Sequence, residues 1–140
     1  MIMTLALAGN VMAQNRGLSK EDFRNRQKEY FTNQAKLTED EAKQFFKLYY
    51  ELQDKKSEMN RSVWQKLRKA KTEELSDEEY NMLSEEIIRT RIQSGELDMA
   101  YFKRYEKILP AKKIYLLQKA EMSFHREMLK RNKTNAPKKQ

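Results

Sequence analysis

Beyond Ala13 the chain holds only two glycines, Gly17 and Gly95, and two prolines, Pro110 and Pro137. These residues are the usual means of ending a helix, so little in this sequence can stop a helix once it has begun. The chain also has no cysteine and a single histidine, His125. A charged, nearly all-helical chain so poor in reactive side chains points to function carried by helix faces rather than by a catalytic cleft.

At 140 residues the chain fits one domain. A domain of this size buries a modest part of its surface, which favours a thin structure steadied by dimerisation. The formal charge of +8 is unevenly spread. Residues 14–72 and 109–140 are basic, and residues 73–108 are acidic. One reading is that the acidic stretch neutralises its neighbours within the fold. The other is a basic surface for acidic or unfolded partners.

Residues 1–13 differ in kind. They carry no charge, run through Leu5-Ala6-Leu7-Ala8, and place small residues at Val11 and Ala13. This fits the apolar core and cleavage site of an export signal, with Gln14 as the mature start. No Lys or Arg precedes the apolar run, so either the true start lies upstream or this is an apolar tail. The stretch is too short to span a bilayer, so no stable membrane insertion is expected. If the chain is exported, the lack of cysteine leaves packing rather than disulfides to stabilise it.

Start signals recur along residues 14–131, the expected helical domain. Ser19 can cap a first helix that runs to about Gln34 with Phe23, Tyr30 and Phe31. Thr38 with Glu41 three residues on makes a capping box, and the acids between them suit the first turn. From there nothing interrupts a helix until about Lys71, a length of roughly 50 Å. Its seam is Ala42, Phe45, Tyr49, Leu52, Met59, Val63, Leu67 and Ala70. Ser76 with Glu79 repeats the start signal. Gly95 could end that third helix, but Leu97, Tyr101, Tyr105 and Ile108 resume the seam at once, which favours a kinked continuation. Pro110 opens a fourth helix with Ile114, Leu117, Ala120, Phe124 and Met128, expected to fray near Arg131. Residues 132–140 read as a disordered basic tail. The sum is an all-α fold of four elongated helices in antiparallel hairpins, turning at Leu37-Thr38 and at Leu109-Pro110.

Leu37-Thr38-Glu39-Asp40-Glu41 sits between a short first and a long second helix in a basic, cysteine-free chain with a leader-like start. This layout resembles the Spy/CpxP family of periplasmic proteins, whose mark is an LTxxQ motif at two such turns. Leu37 and Thr38 match the first motif, with Glu41 in place of its Gln. At the second turn only Leu109 of Leu109-Pro110-Ala111-Lys112-Lys113 matches. The resemblance implies a periplasmic, ATP-independent chaperone: a cradle-shaped homodimer that holds unfolded proteins by basic and apolar contacts. Some members of that family instead regulate envelope-stress signalling through a membrane partner, and others bind metals.

The residues offer matching candidates. Arg61, Lys66, Arg68, Lys69 and Lys71 crowd around Trp64, with Arg126 and Lys130 extending the basic set on the last helix. Long cations attract at a distance, and Trp gives loose apolar contact of the kind a promiscuous binder needs. The same pattern also describes a solvated helix face. Phe45-Phe46 and Tyr49-Tyr50 are adjacent pairs a turn apart, and neighbours on a helix point about 100° apart. Phe45 and Tyr49 are assigned to the core, Phe46 and Tyr50 to a dimer seam or client face.

Other chemistries are disfavoured. His125 has no second histidine or cysteine at helical spacing, so no metal or other cofactor is expected. The scattered methionines 59, 82, 99, 122 and 128 read as core filler. Glu78-Glu79 and Glu85-Glu86 lie in a solvated acidic run, without an environment that would split their pKa values. No nucleophile stands beside a base, so an enzyme is not expected. Glu121 lies on the apolar seam of the last helix and calls for a cation from another helix. A nucleic-acid partner is a rival on charge alone, but no docking motif supports it, and none is expected for an exported chain.

Overall fold

A computed structural model of the chain describes residues 18–134; the expected export segment and residues 135–140 of the expected tail lie outside the described residues. The described part is all-α: α1 (Lys20–Ala35), α2 (Glu39–Thr72), α3 (Asp77–Tyr105) and α4 (Ala111–Thr134). α4 continues to Thr134, beyond the fraying point expected at Arg131.

Local chemistry sets the helix starts. The Ser19 hydroxyl accepts from the Asp22 amide at 3.1 Å. Thr38 and Glu41 form a full capping box, as do Ser76 and Glu79, which satisfies amides that would otherwise lack partners. Pro110 precedes α4, and its carbonyl accepts from Lys113 and Ile114. The end of α1 has no glycine. Lys36 takes the left-handed conformation itself (φ 52°), and the Leu37 amide reaches back to the Thr32 carbonyl at 3.1 Å. That closure drops Leu37 into the core. α3 runs through Gly95 as one helix.

The turns fall at 36–38, 73–76 and 106–110, yet the heaviest packing is not within the hairpins expected at Leu37-Thr38 and Leu109-Pro110. α2 packs chiefly on α3, and α1 chiefly on α4. The α2–α3 pair is antiparallel, as the ion pairs Arg104–Glu51, Lys56–Asp98 and Lys66–Glu86 show.

One apolar cluster gathers Phe31, Ala35, Leu37, Phe45, Phe46, Tyr49, Leu52, Tyr101, Tyr105, Leu109, Ile114, Leu117, Ala120 and Phe124. It is rich in rings. Phe31 meets Tyr49 and Phe124 edge-on at 5.5 and 6.0 Å, and Phe45 lies 4.9 Å from Tyr105. Such contacts add about 0.5–1.5 kcal/mol each beyond area burial. Gln27, buried on the inner face of α1, donates to the Tyr49 hydroxyl at 3.3 Å and accepts from the Tyr50 hydroxyl at 2.9 Å.

The cluster reaches only as far as Leu52 on α2 and Leu97 on α3. Beyond it the two helices run on as an arm, about 24 Å long for the 16 residues of α2 after Lys56. Its buried side chains are Val63, Leu83 and Thr90. No described helix is long and apolar enough to cross a membrane.

Candidate functional site

The arm carries the first part of the expected basic and aromatic surface. Trp64 is 60% exposed. It shares a face of α2 with Phe46 and Tyr50, since 18 residues make five full turns. Phe46 and Tyr50 do not line an open surface, because α1 lies over that part of the face. Phe46 is buried and stacked on Phe31 with ring centroids 6.3 Å apart. Tyr50 is half-buried; its hydroxyl donates toward Gln27 and the Arg24 carbonyl, and the Arg24 guanidinium sits 4.5 Å above its ring. Burial pushes the Tyr50 phenol up to about 12, partly opposed by Arg24. Arg24 also bonds Asp54 at 2.9 Å. In that register α1, which begins at Lys20, runs out about one and a half turns before Trp64.

The cations around Trp64 divide into two kinds. Lys66 bridges the arm to Glu86, which also accepts from Ser62 at 3.2 Å, and the Lys66 bond holds the Glu86 carboxyl below its ordinary range. Arg61 pairs with Glu58 on its own helix at 2.9 Å. Arg68 is exposed and makes no ion pair among the described residues. Lys66 and Lys69 also border a recess of about 550 Å³ between α2 and α3, floored by Leu75, Met82 and Leu83.

On α4, Arg126 is exposed and Lys130 pairs with Glu127 at 3.6 Å. Around them lies a surface that the sequence reading missed. Tyr115, Met122 and Leu129 are 62%, 81% and 55% exposed. Lys119 and Arg126 fall between them at steps of four and three, so all five share one helix face. That spacing is legible in the chain, but it runs beside a second apolar period on the same helix, the buried seam of Ile114, Leu117 and Phe124. Met82 and Met99 are also more than half exposed. Three of the five methionines expected to be core filler therefore face outward.

The four motif residues are structural. Leu37 and Leu109 are buried, and Thr38 caps α2. Glu41, fifth residue of the first turn segment, binds Lys113, fifth residue of the second.

Three of the four paired acids are engaged in the fold: Glu79 in the α3 cap, Glu85 with Arg89 at 2.7 Å on the same helix, and Glu86 with Lys66 across to α2. Glu121 lines a recess of about 440 Å³ with Tyr49, Asp98 and Tyr105. Although Glu121 is exposed along much of its side chain, desolvation of its carboxyl in the recess raises the pKa; the nearby charge of Lys56 opposes this and Asp98 adds to it. The cation expected from another helix is thus Lys56, but its ammonium is bonded to Asp98 at 2.9 Å rather than to Glu121. His125 is exposed, and among the described residues no group of three or more His, Asp or Glu is placed to hold a metal ion.

What the arrangement offers is two exposed strips, one around Trp64 and one along α4, where large apolar side chains stand beside cations. Comparisons with family models, with curated proteins and with solved structures gave no match.

Proposed function

We propose that this chain is an exported, periplasmic, ATP-independent chaperone that holds unfolded proteins, acting as a homodimer. The observation that carries this reading is the pairing of exposed apolar groups with cations that make no ion pair among the described residues: Trp64 beside Arg68, and Tyr115, Met122 and Leu129 beside Arg126. Cations draw in a partner over roughly the 8–10 Å Debye length, and flexible or broad apolar side chains then make contact without a shaped pocket. Such contact is weak per residue and indifferent to sequence, which suits the capture of many different unfolded segments. Export rests on residues 1–13, and the chaperone class on the family resemblance as well as on these strips.

Light scattering of a chemically denatured, unrelated protein diluted into buffer tests the reading. Near-stoichiometric amounts of the chain should suppress aggregation without ATP. No suppression at a several-fold excess removes it. An Arg68→Ser/Arg126→Ser variant should hold clients less well, and added salt should erase the difference between it and the parent.

A further inference from the structure

α3 buries one side against α2 and leaves the opposite side bare. Ile88, Ile92 and Met99 are 55%, 57% and 58% exposed. With Gly95 between them and half-buried Phe102 beyond, their spacing is four, three, four, three. This is the seam spacing of helices that wind around one another. The stripe lies across the helix from Leu83, Thr90 and Tyr101, which are buried against α2.

Gly95 sits at the middle of the stripe. A Cβ added there would meet nothing within 4 Å. Glycine inside a helix costs about 1 kcal/mol relative to alanine, and nothing within one chain offsets it. A missing side chain in an exposed stripe lets a second backbone or a bulky side chain come close.

The flanking charges are ordered. Arg89 and Arg91 border the first half of the stripe, Glu96 and Asp98 the second, and all four are exposed. A strip positive at one end and negative at the other complements its own reverse. We propose that α3 pairs antiparallel with α3 of a second copy, about a two-fold axis between Gln93 and Ser94. Ile92 then faces Gly95 of the second copy, and Ile88 faces its Met99. Arg89 meets Glu96 and Arg91 meets Asp98, each contact occurring twice by symmetry. A parallel pairing would instead set Gly95 against Gly95 and leave the space beside it unfilled. Within one chain Arg89 already bonds Glu85 and Asp98 bonds Lys56, whereas Arg91 and Glu96 make no ion pair among the described residues and gain one here. This deepens the homodimer part of the proposed function, and rests on it, by naming the face and the register.

Sedimentation of the full chain with charge swaps tests it. The parent should be a dimer at micromolar concentration. Arg89→Glu and Glu96→Arg should each sediment as folded monomers, since each places like charges together across the axis. Mixed in equal amounts, the two variants should recover the dimer mass, because every repulsion becomes an attraction. Ile92→Glu should be monomeric with unchanged helical circular dichroism. A parent that stays monomeric at high concentration overturns the homodimer itself. A dimeric parent whose swaps stay dimeric, or whose mixture stays monomeric, overturns this face and leaves the dimer elsewhere.

Discussion

Glu41 and Lys113 meet at 2.5 Å, joining the first turn of α2 to the first turn of α4 across 72 residues of sequence. The same carboxylate oxygen accepts from the Thr38 amide at 3.0 Å, so one atom both closes a helix cap and clamps two helices.

That bond makes stability fall in acid. The Lys113 bond, and after it the Thr38 amide, hold the Glu41 carboxyl below its ordinary value. The folded state therefore binds its proton less readily than the unfolded chain does. Its contribution is complete above the unfolded pKa of about 4.3 and is lost as pH falls through the lower folded value. Thermal melts of the parent and Lys113→Met should differ at pH 7 and converge toward pH 3. A constant gap across that range would rule out the bond as the source.

Glu121 has the opposite sign. Its folded pKa is raised, so the ionised carboxylate disfavours the fold and the protonated form does not. Glu121→Gln should melt a little higher than the parent at pH 7, with the gain shrinking as pH falls through the raised pKa toward 4. A lower melting temperature at pH 7 would mean that the charge is needed where it sits.

Lys36 occupies a left-handed backbone position that costs a residue with a side chain about 1 kcal/mol. Lys36→Gly should raise the melting temperature by several degrees, the usual effect of about 1 kcal/mol in a domain near this size. Calorimetry checks it directly.

Trp64 and Phe46 lie on one face of α2 but do different work. Phe46→Ala opens a cavity in the ring cluster and should cost about 3–5 kcal/mol. Trp64→Ser removes an exposed side chain and should change stability by no more than about 0.5 kcal/mol while lowering aggregation suppression. Urea titration separates the two, and a large loss of stability for Trp64→Ser would assign that ring to the fold instead.

Much of the fold could be read from the chain. Ser19, Thr38 and Ser76 announce their helices through side chains that bond within three residues, and such local chemistry needs no tertiary information. The seam of Phe45, Tyr49, Leu52 and Val63 is buried where a 3.6-residue period places it. The fate of Phe46 and Tyr50 could not be read so, because periodicity says which residues share a face and not how far a neighbouring helix extends along it. Lys36 was hidden for a similar reason: its strained turn is imposed by what Leu37 buries, not by a residue that prefers the turn. The outward stripes of α3 and α4 were written in plain spacing, but an apolar period looks the same whether its face is covered or bare.

The arm has a mechanical consequence. Two helices with a single narrow row of buried side chains have little to resist thermal opening, whereas the four-helix end is locked by interleaved rings. Amide hydrogens near residues 60–90 should therefore exchange with deuterium well before those near Tyr49 or Leu117, by partial openings that leave the ring-packed end closed. The chain thus behaves as a stiff handle with a pliant blade, and Trp64 rides on the part that can bend to whatever it touches.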